Sequence, residues 1–251
     1  MTGAATLRAL HHGRAPGDPL VLPGPWDAAT ARVLAAAGFP ALATPSAGVS
    51  ASLGYRDGET PAGEMFAAVA RIARAVDVPV TADIEEGYGL APAEIVERLL
   101  EAGAVGCNLE DGDRAANTLK DARRHADWLA EVRAAAGESL VINARVDVFV
   151  RGAAAAGGGV SEDRLAEEAI DRGRRYVAAG ADCVYPIFAP PRLLPRLADG
   201  IGAPLNAMAE PDGPSVRELA AAGATRITFG PRLFHRALAA VEDIAERLRP
   251  A

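Results

Sequence analysis

Residues 101–111 read EAGAVGCNLED. A helical end runs into Gly103, a short apolar run follows, and two carboxylates, Glu110 and Asp111, close it. A glycine here suits the left-handed position that ends a helix, since without a Cβ that conformation is open to it. The apolar run then reads as a strand. The same helix–glycine–strand junction recurs in AAAGFPAL (35–42), AAGADCV (178–184) and AAGATRI (221–227).

With these junctions as markers, the sequence offers eight strand candidates: 20–24, 41–46, 78–85, 104–111, 140–147, 181–188, 204–210 and 225–230. Segments of helical period follow them at 26–37, 61–76, 92–102, 121–136, 161–179, 190–199, 214–222 and 231–248. Regular alternation of strand and helix predicts parallel strands joined by right-handed crossovers. The fold expected is α/β, a single-domain (β/α)8 TIM barrel over 1–251, with 1–18 as an N-terminal extension and 231–249 as a C-terminal helix available for oligomer contacts. Two stretches break the rhythm: 47–60 (AGVSASLGYRDGET) reads as a long loop after strand two, and RGAAAAGGG at 151–159 as a linker after strand five.

The length suits one such barrel. Half of the 251 residues are apolar and aromatics are 5%, so Ala, Val, Leu and Ile must build the core. A net charge of −7 without a basic stripe argues against nucleic acid. No run is apolar enough for a membrane span and the first residues lack a signal-peptide core, so a cytoplasmic protein is expected. Cys107 and Cys183 sit in apolar runs and read as buried core residues. His11, His12, His125 and His235 read as surface or core positions.

In a parallel barrel the site lies where the strands end. Polar residues gather at those ends: Ser46, Asp83 and Glu85, Glu110 and Asp111, Asn143, Arg145 and Asp147, then Asn206 and Glu210. Asp83 and Glu85 are two apart, so on an extended strand both point the same way. With Glu110 from the neighbouring strand they would repel one another unless a cation compensates. Oxygen-only ligation suits Mg²⁺ or Mn²⁺ better than zinc. Arg145, in the apolar run INARVD, offers a fork for a substrate carboxylate or phosphonate; the competing reading is a salt bridge to Asp147 or Glu110.

These pieces also carry a family resemblance. PSAGVSASLGYRDGE, TADIEEGYG, NLED and NARVD resemble, in order, the substrate loop, metal motif, I-E-D and A-R-T-D segments of the isocitrate lyase / phosphoenolpyruvate mutase superfamily. Glu85 replaces the second Asp of the metal motif and Val146 the Thr. The resemblance implies a barrel in which Ser46, Ala47 and Gly48 bind a substrate carboxylate and Asp57 lies beside the reacting carbon. It further implies that Asp83, Glu85 and Glu110 hold Mg²⁺ directly or through water, while Arg145 binds the far anionic group. Where the lyases carry K-[KR]-C-G-H, this chain reads DGDRAANTLKDARRH, without a cysteine, so true isocitrate or methylisocitrate lyase activity is not expected. Asn117 and Thr118 resemble the Asn-Ser pair of the mutases' gating loop; a helix N-terminal turn is the plainer reading. Ile187 stands where the lyases have a glutamate, which with Asn206 sets substrate size.

The function expected is a Mg²⁺-dependent lyase acting on a small 2-oxo or 2-hydroxy carboxylate through an enolate-like intermediate. The alternatives are a phosphoenolpyruvate or carboxyphosphonoenolpyruvate phosphonomutase, and a barrel that binds oxo acids without turnover. Family members are usually homodimers or homotetramers, so a homo-oligomer is expected.

Overall fold

The computed structural model describes residues 3–12, 17–152 and 159–249. Each expected apolar run forms strand, though shorter than its pattern. The strands are β1 (Leu20–Val21), β2 (Leu42–Thr44), β3 (Val80–Asp83), β4 (Gly106–Glu110), β5 (Gly112–Asp113), β6 (Thr118–Leu119), β7 (Val141–Val146), β8 (Cys183–Pro186), β9 (Asn206–Met208) and β10 (Arg226–Thr228). All but the β5–β6 hairpin pair in parallel.

Two ladders result, β2-β3-β4-β7-β8 and β1-β10-β9. At the seams between them, Ala43 N–H donates to Pro23 O (3.2 Å) and Val184 N–H to Pro204 O (2.9 Å). The expected eight parallel strands are present, in a curled sheet that is not laddered all the way round. Pro23 and Pro204 each accept a bond at these seams but have no N–H to return one, and beyond Pro204 the pairing is a single bridge between Val184 and Leu205.

The helices are α1 (Gly3–His11), α2 (Ala28–Ala36), α3 (Ser46–Ser52), α4 (Ala62–Ala73), α5 (Pro92–Glu101), α6 (Ala122–Ala136), α7 (Glu162–Ala178), α8 (Leu194–Ile201), α9 (Val216–Ala221) and α10 (Arg232–Leu248). Their starts are written in sequence. Ser215 accepts from Glu218 N–H while Glu218 reaches back, closing a capping box on α9. Pro92 opens α5, where a missing N–H costs nothing. Helix α5 buries Ile95, Val96 and Leu99 and exposes its charges. The core is aliphatic, as the composition required.

Three segments depart from the expectation. The N-terminal extension contains α1, whose Leu7 is fully buried. The loop 47–60 begins with α3. Asn117 and Thr118 lie on the β5–β6 hairpin rather than a helix N-terminal turn; Asn117 takes φ 52°, a left-handed value that Asn tolerates better than most residues. Helix α6 starts instead at its cap Asp121. Of the expected linker 151–159, residues 153–158 fall outside the described residues; Val148–Gly152 form a single π-helical turn. Cys107 and Cys183 are buried free thiols, pushed up to about 12 by burial. Among the described residues no helix is long and apolar enough to cross a membrane.

Candidate active site

At the C-terminal ends of the strands lies a cavity of about 160 Å³. Thr44, Ser46, Ala47, Asp57, Asp83, Asn108 and Arg145 line one part of it, and Tyr185, Ile187, Phe188, Met208 and Pro231 another. Four of the expected site residues outside the metal set, Ser46, Ala47, Asp57 and Arg145, therefore meet there.

Asp83 is the last residue of β3. Ser46 Oγ donates to its Oδ2 at 3.0 Å, and Glu85 N–H to its Oδ1 at 3.3 Å. Burial pushes this carboxyl above its ordinary value and Glu110 adds to the rise, while the Arg145 charge opposes it. The expected alignment of Asp83 with Glu85 on one strand face fails. The strand ends at Asp83, and the chain then turns through positive φ at Glu85 (55°), Gly87 (89°), Tyr88 (55°) and Gly89 (69°). Period-two reasoning holds only while the backbone is extended. Left-handed backbone at a Glu and a Tyr costs on the order of 1–2 kcal/mol each and is tolerated where surrounding structure dictates it.

Glu85 and Glu110 are buried behind Asp83, and a guanidinium lies against both. Arg114 Nε is 3.2 Å from Glu110 Oε1 and 3.6 Å from Glu85 Oε2, and its Nη1 is 3.6 Å from Asp57 Oδ2. Gly58 makes room for it, since a Cβ there would stand 2.2 Å from Arg114 Nη1. Burial raises Glu85 to about 7 despite Arg114, with Asp83, Glu110 and Asp57 pushing the same way as burial.

Among the described residues no three of His, Cys, Asp or Glu are grouped to hold an ion together. Direct ligation by Asp83, Glu85 and Glu110 at once does not fit this arrangement. A looser hold does: Asp83 reaches the cavity, and Glu85 Oε1 is a buried acceptor without a hydrogen-bond partner, while Glu110 Oε2 meets only the Arg145 guanidinium. Such oxygens suit the waters that Mg²⁺ retains.

Arg145 forms the salt bridges of its competing reading while still lining the cavity. Its Nε and Nη2 grip Asp147 at 2.7 and 3.0 Å, and Nη1 lies 2.5 Å from Glu110 Oε2. Burial works against its charge, but Glu110 and Asp147 outweigh it. Burial likewise lifts Asp147 to about 6 in spite of Arg145. Of the five N–H donors of a guanidinium, two are left for a ligand. Asp111, beside Glu110, turns away from the cavity and anchors α7 through Arg172 Nη1 (3.0 Å) and Tyr176 hydroxyl (2.7 Å).

Other expected substrate contacts fall outside the cavity lining. Asn206 is buried behind Thr228, donating to its Oγ1 at 3.0 Å. Gly48 is buried within α3, where a Cβ would meet Pro45. Thr118 is exposed, and Asn117 Oδ1 accepts from Arg151 Nη1 at 2.9 Å. Sequence reasoning missed Asn108, Thr228 and Phe188. The first two are polar residues inside apolar strands, a readable signal; Phe188 (φ 58°, half exposed) is betrayed only by its backbone.

A fold of parallel strands with acids and an arginine at their C-terminal ends defines an α/β enzyme-like scaffold. Comparison with known proteins makes this specific. The family model described as phosphoenolpyruvate phosphomutase matches residues 7–249, and the chain belongs to that family, within the isocitrate lyase / phosphoenolpyruvate mutase superfamily of lyases and mutases that act on small carboxylates. Uncharacterized protein Rv1998c of Mycobacterium tuberculosis is 32% identical over 222 residues, 88% of this chain and 80% of that one. The 2-methylisocitrate lyase of Bacillus subtilis is 30% identical over 179 residues, 67% of this chain and 55% of the enzyme. Among solved structures, a Burkholderia cenocepacia J2315 protein provisionally named a phosphonomutase superposes with TM-score 0.88 at 37% identity, covering 98% of both chains. Phosphonopyruvate hydrolase in complex with oxalate and Mg²⁺ superposes with TM-score 0.83 at 25% identity, covering 99% of this chain and 87% of that one.

Proposed function

We propose that this protein is a Mg²⁺-dependent lyase that cleaves a C–C or C–P bond in a small 2-oxo or 2-hydroxy carboxylate; Mn²⁺ would serve in the same place. The observation that carries this reading is the convergence of Ser46, Asp57, Asp83 and Arg145 on one cavity. When bound, the cation would polarise the substrate carboxylate and its neighbouring oxygen. Asp83 would hold it, with Glu85 and Glu110 accepting hydrogen bonds from its waters.

The remaining work falls to the protein. Ser46 and the backbone N–H groups around Ala47 bind the carboxylate. Arg145, fixed in orientation by Asp147, directs its two free N–H groups at negative charge that develops on the substrate. Asp57, at the open side, orients the reacting group or moves its proton. The apolar wall of Ile187, Phe188 and Met208 suits a short alkyl remainder and offers nothing to further carboxylates. With the missing lyase cysteine, this argues for a substrate other than isocitrate or methylisocitrate.

A phosphonomutase is the second reading, favoured by similarity to the Burkholderia protein. Phosphorus NMR on phosphonopyruvate separates the two, since a mutase moves the phosphorus and a lyase releases it. For the leading proposal, Asp57→Ala should abolish turnover of the best substrate in a 2-oxo acid panel while leaving Mg²⁺-dependent oxalate binding within about twofold; retained turnover removes Asp57 from the mechanism. We also propose a homodimer or homotetramer. Leu238, Val241, Ile244 and Leu248 form an exposed apolar stripe on α10, and size-exclusion with light scattering tests it.

A further inference from the structure

Arg226, the first residue of β10, is the largest fully buried side chain. An arginine remains charged there. Among the described residues no carboxylate pairs with it. Its contacts are neutral: Nη1 lies 3.3 Å from His11 Nε2, and Nη2 donates to Asn108 Oδ1 at 3.4 Å. Nε has no partner at all.

His11 can only accept from it. Its Nδ1 is 2.8 Å from the Leu7 carbonyl, which cannot donate, so the proton sits on Nδ1 and the lone pair of Nε2 faces Arg226. Burial first, then Arg226, hold this imidazole down at about 4, so it stays neutral. Helix α1 thus closes the foot of the sheet with an acceptor that leaves the positive charge unneutralised.

The charge lies directly beneath the cavity. Residues 226 and 228 share one face of β10, and Thr228 lines the cavity. Asn108 connects the two levels, since it also lines the cavity. Because Arg226 can only donate, Asn108 must turn its oxygen down towards it, where Asn143 Nδ2 donates to the same oxygen at 2.8 Å. The amide N–H₂ is the end left for a ligand.

We infer that Arg226 is a positioning residue for an anion bound at the cavity floor: it fixes Asn108 with its N–H₂ towards the ligand and sets an unpaired positive charge below. The ligand class is the carboxylate or enolate oxygen of a small 2-oxo acid, which rests on the function proposed above. A purely structural arginine makes the opposite forecast, since replacing a buried, unpaired charge with an apolar side chain is neutral or stabilising and nothing else should change.

The test compares oxalate binding with Mg²⁺, by calorimetry, and thermal unfolding without ligand, for wild type, Arg226→Met, Arg226→Lys, Asn108→Asp and the Met/Asp double variant. Expected are Arg226→Met melting no lower than wild type yet binding oxalate at least tenfold more weakly, partial recovery in Arg226→Lys, and a double variant no worse than the weaker single. Asn108→Asp gives Arg226 a carboxylate and takes the donor from the cavity, so it should fold well and lose oxalate; it carries the test if Arg226→Met does not fold. Wild-type affinity in both Arg226→Met and Asn108→Asp, or fully additive losses, overturns the inference. A wild type that binds no oxalate, with or without Mg²⁺, overturns the oxo-acid reading and this inference with it.

Discussion

At the mouth of the strands, Asp57, Asp83, Glu85, Glu110 and Asp147 surround two guanidinium groups, Arg114 and Arg145; at the foot, the single carboxylate of Asp182 is held by two, Arg8 Nε at 2.9 Å and Arg133 Nη2 at 2.5 Å. Asp182 also accepts Ile142 N–H at 2.8 Å. Both clusters use the same residue types at opposite ends of neighbouring strands. The foot is a closed arrangement in which each acid oxygen has donors, and its role ends with stability. The mouth keeps acids in excess, with Asp83, Glu85 and Asp147 all pushed up chiefly by burial. An excess of that kind in a cleft marks a candidate functional site, and the cation proposed above rests on it.

The sharpest way to break the comparison is to remove one acid from each end. Asp83→Asn should abolish the Mg²⁺-dependent stabilisation by oxalate and reduce turnover by about a thousandfold or more, roughly 4 kcal/mol, with little change in folding stability. Thermal shift with and without Mg²⁺ reads the first effect, and an intact shift would mean that Asp83 does not hold the ion. Asp182→Ala should do the reverse. It leaves Arg133 without its acid and Arg8 with only the exposed Glu138, and should cost about 3 kcal/mol in denaturant unfolding, while folded molecules bind oxalate normally.

A smaller effect sharpens the contrast through pH. The folded protein holds Glu85 at about 7 and Asp147 at about 6, above their ordinary values near 4.5 and 3.8. The folded state therefore binds these protons more tightly than the unfolded state. Their contribution is complete below the ordinary values and is lost as pH rises through about 6 to 7. Metal-free protein in chelator should lose stability across that window, by up to the order of 3 kcal/mol for Glu85 alone. Glu85→Gln should flatten the curve, and saturating Mg²⁺ should reverse its slope by favouring the ionised acids. A flat curve for the metal-free wild type would show that the mouth acids are already compensated.

How much of this was legible in the sequence depends on what each feature rests upon. Strand order and the placement of Asp83, Glu110 and Arg145 followed from glycine-ended helices and apolar runs, which are local signals. The alignment of Glu85 with Asp83 on one strand face is not legible as wrong from the sequence, because the turn after β3 uses left-handed backbone at non-glycine residues, which no periodicity announces. The foot went unseen as well, since α1 lies in a stretch without a strong pattern and His11 meets Arg226 across most of the chain. Asn206 looked suitable by type, yet its bond to Thr228 turns it to a supporting role. Long-range packing decides such cases.

The mildest change tests the mouth most directly. Arg114 reaches from the segment between β5 and β6 to Asp57, Glu85 and Glu110, and Gly58 leaves the space through which it passes. Its guanidinium already neutralises part of the charge that a divalent cation would meet. If the two share the same acids, Arg114→Gln should raise Mg²⁺ affinity by about three- to tenfold, near 1 kcal/mol, because the guanidinium keeps contact with water while the carboxylates of Glu85 and Glu110 are buried. Isothermal titration with Mg²⁺ reads it directly, and Asp182→Ala serves as the control that should not move. An affinity that falls in Arg114→Gln would instead make the arginine part of the cradle, holding Glu85 and Glu110 apart at the spacing the hydrated ion needs. Either sign separates the mouth from the foot, because no cation can exchange with the arginines that close over Asp182.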